Sequence, residues 1–155
     1  MFDVERGLLA SGLSDKTVTV WSMAESRTVH RLRGNGHVST CLRLTRPVLV
    51  VAGGQGWVHV WHVTRGQLLR SLDTCGAVIA CLVVRGDNIV AGDVRGHVLA
   101  WDLDSDNTRD PRTSVTTIPP RILSTMTDAV RGLHQDNYNM ISLSFDANCD
   151  TFEIL

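Results

Sequence analysis

Lysine is almost missing from this chain: Lys16 stands alone against 14 arginines. Arginine suits bidentate and stacking contacts at interfaces, although a compositional bias of the lineage would give the same ratio. Cysteine is sparse too. The four cysteines form no Cys-x-x-Cys pair, and zinc or disulfide frameworks need clustered thiols at suitable spacing. Buried free thiols are expected instead, with Cys41 and Cys81 inside apolar strands and Cys75 and Cys149 near turns. No apolar run approaches the roughly 18 residues that span a bilayer. Met1-Phe2-Asp3-Val4-Glu5-Arg6 lacks the basic and apolar regions of a secretory signal, which makes a soluble cytoplasmic or nuclear protein the expectation. A formal net charge of −1 gives no general pull toward nucleic acid or an anionic membrane. No Ser-His-Asp, Cys-His or paired-carboxylate arrangement has recognisable spacing, so an enzyme is not expected, nor a cofactor. His59 and His62 lie three apart on a strand and point to opposite faces, which excludes joint chelation of a metal. Gly53-Gly54-Gln55-Gly56 enters a strand rather than a helix, so it reads as a hairpin turn and not a phosphate cradle.

What the chain does have is a repeat. Trp21, Trp61 and Trp101 are spaced 40 residues apart, and Val38-Ser39-Thr40-Cys41-Leu42 recurs 40 residues on as Val78-Ile79-Ala80-Cys81-Leu82. The strings Val18-Thr19-Val20-Trp21, Val58-His59-Val60-Trp61 and Val98-Leu99-Ala100-Trp101 keep the same step. A fixed period of this length means stacked supersecondary units, because one unit cannot bury its apolar faces alone. Each unit is a series of short alternating or fully apolar runs broken by turn residues, the signature of strands. In the fullest unit the spacing predicts strands at about 38–44, 48–53, 57–62 and 67–72. Four such strands fill the period with no room for a helix. Runs such as Val48-Leu49-Val50-Val51-Ala52 are apolar on both faces, so each sheet should be covered on both sides. Radially packed four-stranded blades meet that need.

These residues resemble the WD-repeat β-propellers. "LLASGLSDKTVTVW" is close to the family consensus, Gly36-His37 supplies its Gly-His pair, and Trp101-Asp102 its Trp-Asp. Departures occur at Ser22 and His62 after the first two tryptophans, at Ala77 in the histidine position, and at Gln55 where the first repeat has the turn aspartate Asp15. The family's Trp–Ser/Thr–His–Asp network is therefore incomplete in every blade. The resemblance gives Trp21, Trp61, Trp101 and His37 structural roles and implies no metal.

The expected fold is all-β: a partial WD-repeat propeller of about four incomplete blades, at roughly 1–33, 34–73, 74–120 and 121–155. A polar loop covers about 104–120, with Arg112–Ile118 a weak strand candidate. Strand-like runs at Ala129–Leu133, Met140–Leu143 and Asp150–Leu155 form the divergent last unit. The chain reads as a partial one, opening within a first strand and stopping after a third.

Function then falls to loops at one end of the propeller, binding a protein or peptide without nucleic acid or membrane. The expected contact residues are Asp15, Lys16, Arg33, Asn35, Gln55, Trp57, Arg95 and His97. Trp57 stands where the other repeats have Thr17 and His97, and is either packed between blades or an exposed contact. Arg27, Arg31 and Arg33 alternate along a strand and are expected on one, mainly solvated, face. The repeat style is most similar to F-box/WD-repeat proteins, substrate receptors of cullin-RING ubiquitin ligases, although no F-box lies within these residues. The alternatives are a generic scaffold subunit of another complex and a truncated fragment without independent function.

Overall fold

Short runs rich in valine, leucine and isoleucine, separated by turns that carry glycine in the left-handed region, form strands throughout the described residues. The computed structural model describes residues 2–5, 7–12, 14–33, 39–45, 48–53, 56–103, 117–135, 139–144 and 149–153, with no helix among them. The first sheet is a meander of β1 (Phe2–Glu5), β2 (Leu8–Gly12), β3 (Thr17–Ser22) and β4 (Arg27–Arg33). The second is β5 (Ser39–Thr45), β6 (Val48–Gly53), β7 (Trp57–His62) and β8 (Gln67–Asp73), so its two middle strands coincide with the expected bounds. The third sheet holds β9 (Ile79–Arg85), β10 (Asn88–Asp93) and β11 (His97–Asp102). A two-residue strand β12 (Thr117–Ile118) follows in the chain, and β13 (Arg121–Thr125) then completes the third sheet. The fourth is β14 (Val130–Gln135), β15 (Asn139–Ser144) and β16 (Cys149–Glu153). Neighbouring strands are antiparallel throughout, except that β12 runs parallel to β8 on the edge of the second sheet.

The third boundary therefore differs from the sequence expectation. Residues 121–125 were expected to open the last unit, yet they pair with β11 as the outer strand of the third sheet. The reason is packing: Leu123 and Met126 join a core cluster with Val90, Val98 and Val130, which ties this strand to the face shared with the fourth sheet. In the first two sheets the third and fourth strands are joined by Met23-Ala24-Glu25-Ser26 and Val63-Thr64-Arg65-Gly66. In the third, the connection runs from 103 to 120, and its final part reaches the edge of the second sheet. Of the strand expected at 112–118, residues 112–116 lie outside the described residues.

Three apolar clusters join the sheets in series. Leu8, Ala10, Val18, Val20 and Leu32 of the first sheet meet Leu42, Leu44, Leu49 and Val51 of the second. On the opposite face of the second sheet, Cys41, Val50, Val58, Val60 and Leu72 meet Ile79, Leu82, Ile89, Ala91, Leu99 and Trp101 of the third. The third cluster joins the third and fourth sheets. Strand alternation explains this arrangement: with both faces apolar, Val50 and Val51 face different neighbours. Each fully buried aliphatic side chain contributes about 1.5–3 kcal/mol of transfer free energy.

The tryptophans occupy equivalent strand positions but are not equally buried. Trp101 is 3% exposed within the second interface, Trp61 is half-buried against the first cluster, and Trp21 is 40% exposed. Trp61 and Trp101 each point at the sheet before their own. Trp21 is in the first sheet, and the face it occupies contributes to none of the described clusters. His37 lies outside the described residues.

A bulge also changes the expected arginine row. The β3–β4 register slips between Val20 and Trp21, setting Arg33 opposite Thr17 and Arg31 opposite Thr19, but Arg27 opposite Ser22. The extra residue inverts the alternation. Arg27 therefore lies on the other face from Arg31 and Arg33, where it pairs with Glu25.

Candidate functional site

Antiparallel meanders send alternate turns to opposite ends, so the β2–β3, β6–β7 and β10–β11 turns share one end with the connections between sheets. Backbone hydrogen bonds lock the β6–β7 and β10–β11 turns to the neighbouring connections. Thr74 N donates to Gly56 O at 3.0 Å, Val94 N to Val78 O at 3.1 Å, and Met126 N to Gly96 O at 2.8 Å. Gly96 is required at its position, with φ +92° and a would-be Cβ only 2.3 Å from Met126 O. Any side chain there would meet backbone that cannot swing away.

The β2–β3 and β10–β11 turns are each built around a side-chain acceptor. Asp15 accepts from Thr17 N at 3.0 Å and Thr17 Oγ1 at 2.6 Å. These hydrogen bonds lead in holding its carboxyl below the usual range, with a further push from Arg31 and Arg33. The neighbouring Lys16 adopts φ 67° and is exposed. In the third sheet the equivalent anchor is Asp93, which is 0% exposed. Its Oδ1 accepts from Arg95 N at 2.8 Å and His97 N at 2.7 Å, and its Oδ2 lies 2.8 Å from His97 Nδ1. One carboxylate thus closes the turn and fixes the imidazole that begins the next strand.

The expected contact residues divide as follows. Lys16, Asp15, Arg33 and Arg95 are exposed at this end, while Trp57 and His97 are half-buried. Thr17, Trp57 and His97 open the third strands of their sheets and stand opposite Arg33, Asp73 and Thr125. Alternation places Trp57 on the same face as Trp61, turned toward the first sheet. Asn35 and Gln55 lie outside the described residues. Asp93 escaped the sequence reading because its counterparts in the other repeats are Leu13 and Gly53. A usable signal was present: Asp93-Val94-Arg95-Gly96 has aspartate first and glycine fourth, the pattern of a type I turn.

Other polar chemistry is internal. His59 Nδ1 lies 3.0 Å from Ser71 Oγ, and burial holds its pKa down. Burial pushes the thiol of Cys41 up, and that of Cys81 to about 11, so both are poor nucleophiles. Cys41, Cys75 and Cys81 are free, but Cys75 is exposed in the β8–β9 connection, contrary to the expectation of burial. It holds φ 53° there, and the Asp73 carboxylate fixes its N–H at 2.7 Å. Among the described residues no group of three or more His, Cys, Asp or Glu side chains is placed to hold a metal.

Four sheets packed face to face in series, with turns gathered at their ends, define a β-propeller fold. Comparison with solved structures agrees. The computationally designed Ika4 protein superposes with a TM-score of 0.80 at 19% identity, covering 99% of this chain and 89% of that one. BamB from Moraxella catarrhalis gives 0.73 at 16% identity, covering 99% of this chain and 42% of that one. No family model matches the chain. Its similarities among known proteins are weak but consistent. It is 26% identical over 80 residues to DENN domain and WD repeat-containing protein SCD1 of Arabidopsis thaliana, covering 52% of this chain and 6% of that protein. It is 34% identical over 59 residues to Mitochondrial division protein 1 of Mycosarcoma maydis, covering 38% and 7%. With small ribosomal subunit protein RACK1y of Oryza sativa subsp. japonica it shares 30% identity over 100 residues, covering 63% and 30%. The chain thus resembles WD-repeat proteins and spans less than a third of each of these relatives.

Proposed function

We propose that this chain is a non-enzymatic protein-interaction scaffold that binds its partner through the loop end carrying Lys16, Arg33, Trp57, Arg95 and His97. The observation that carries this reading is the cross-bonding of the loops. Gly56, Val78 and Gly96 accept backbone hydrogen bonds from neighbouring loops, so Trp57, Arg95 and His97 stand on a braced platform. A pre-organised surface loses less entropy on binding than a mobile one. Similarity to WD-repeat proteins supports the same reading.

Lys16 offers a direct test, since it carries the chain's only lysine amine. An amine-reactive cross-linker should join a bound partner at Lys16. Alanine at Trp57 or Arg33 should weaken that partner's binding by about 1–2 kcal/mol if either is a hot spot, with the melting curve little changed for Arg33→Ala. Unchanged affinity in both variants, with no cross-link at Lys16, removes this end from consideration. The finer reading, a substrate-recognition propeller of an F-box/WD-repeat ubiquitin-ligase receptor, rests on repeat style. Co-purification of cullin-RING components with the protein tests it against a generic scaffold role.

A further inference from the structure

We infer that two copies of this chain close one ring, the fourth sheet of each seated on the first sheet of the other. The surface concerned is the side of the sheet series, away from the loop end. The second sheet meets the first through Leu42, Leu44, Leu49 and Trp61. The third meets the second through Leu82, Val84, Ile89 and Trp101, each 40 residues further on. Forty residues earlier, the same positions hold Phe2, Val4, Leu9 and Trp21. The register agrees: Val4 stands opposite Leu9 and Leu9 opposite Trp21, as Leu44 stands opposite Leu49 and Leu49 opposite Trp61. The first sheet therefore carries a full set of the apolar positions by which one sheet seats on the one before it. Among the described residues no sheet packs on that face. Trp21 is 40% exposed, and Thr28, opposite it on β4, is exposed too.

The other end of the series is open as well. β5 packs on β1 and β2, β9 on β5 and β6, and β14 on β9 and β10, whereas among the described residues none of β14, β15 and β16 packs in this way on the first sheet. Leu133 belongs to the cluster shared with the third sheet. Ile141 and Leu143 stand opposite His134 and Gly132, so alternation assigns this apolar pair to the face away from the third sheet. Curvature decides what fills the gap. The four sheets superpose, over 99% of this chain, on 45% of the computationally designed Ika8 protein, with a TM-score of 0.81 at 21% identity, and on 42% of BamB. The equal match to Ika4 shows the same arc in a chain of similar length. An arc that follows a little under half of a longer propeller turns too little per sheet to meet itself after four. A second arc of the same size supplies the remainder. Related by a two-fold axis, the two copies make two equal contacts and leave no face uncovered.

Analytical ultracentrifugation of the purified 155-residue chain provides the test. A species of twice 17.0 kDa should form and grow no further, and small-angle X-ray scattering should give a flat ring with an axial channel. Trp21→Arg sets a charge in the contact and should raise the dissociation constant about 30-fold, the ordinary loss for a hot-spot tryptophan. Thr28→Arg places the charge at a position already exposed, so it weakens the dimer without disturbing the monomer, even where Trp21→Arg does not fold. Circular dichroism reports the folding of both. A chain that stays monomeric at about 100 μM, where an interface of standard size is occupied, overturns the inference and leaves the open faces to other repeats. Masses that grow beyond two copies also overturn it, because the contact then fails to close. A dimer that Thr28→Arg and a folded Trp21→Arg leave intact uses another surface, and the inference falls.

Discussion

The indole Nε1 of Trp21 donates to Ser11 Oγ at 3.3 Å, and the residue in the same register beside Trp101 is Ala91. Trp21 stands opposite Leu9 with Ser11 two residues along; Trp101 stands opposite Ile89 with Ala91 two residues along. The exposed tryptophan therefore has an acceptor, while Nε1 of the buried one has no partner among the described residues. Ala91→Ser supplies the missing hydroxyl and should stabilise the fold by about 1 kcal/mol. Urea melts of the two proteins measure the gain. A loss of stability would mean that the fully buried Ala91 site has no room for oxygen.

The three tryptophans should show graded costs despite their common spacing. Trp101→Ala should destabilise by about 3–5 kcal/mol, as expected for a buried aromatic. Trp61→Ala should cost less, and Trp21→Ala least, following their exposures. Denaturant unfolding of the three variants provides the ranking, and equal costs would contradict it.

Gly96→Ala combines a strained φ with a clash against the Met126 and Asp128 carbonyl oxygens. It should cost at least about 2 kcal/mol. Gly86 is the internal control, with φ +55° but no neighbour within 4 Å of an added Cβ. Gly86→Ala should cost only about 1–2 kcal/mol, for the backbone conformation alone. Thermal unfolding of the pair separates strain from collision.

Stability should decline on the acid side because of His59. Its pKa is held below the ordinary 6.5 by burial. As pH falls below 6.5 the unfolded chain takes up a proton that the folded chain resists, so stability is lost from there down through the folded-state pKa. The slope for one such group cannot exceed about 1.4 kcal/mol per pH unit. Replacing His59 with Gln should flatten the difference between melts at neutral pH and below pH 6. An unchanged difference would show that other groups govern it.

The fold was readable in the sequence because its packing unit is a repeat. Wherever Val-x-Val-Trp and the preceding apolar strand recur 40 residues on, strand and sheet follow. The outer strand of the third sheet was not readable, because Arg121–Thr125 is separated from β11 by an insertion and follows Pro119-Pro120, which resemble the end of a loop. Its sheet membership is decided by where Leu123 packs. The exposure of Trp21 was hidden for a related reason: the local string resembles that of Trp61, and the difference is that no described apolar cluster forms against its face. Among the candidate contact residues, the turn positions of Asp15, Lys16 and Arg95 followed from hairpin chemistry. Asp93 did not, since it stands where the other repeats have Leu13 and Gly53 and so departs from the repeat.

The pairing of Thr117 and Ile118 with Ser71 and Leu72 has a consequence for the order in which the molecule comes apart. Elsewhere the sheets meet mainly through side chains, but here a strand leaving the third sheet is bonded by its backbone to the edge of the second. Those two sheets cannot separate without breaking main-chain hydrogen bonds as well as the cluster between them. The two sheets should therefore open as one cooperative unit, which hydrogen exchange checks as joint protection of their amides. The first and fourth sheets lack such a tether in the described residues.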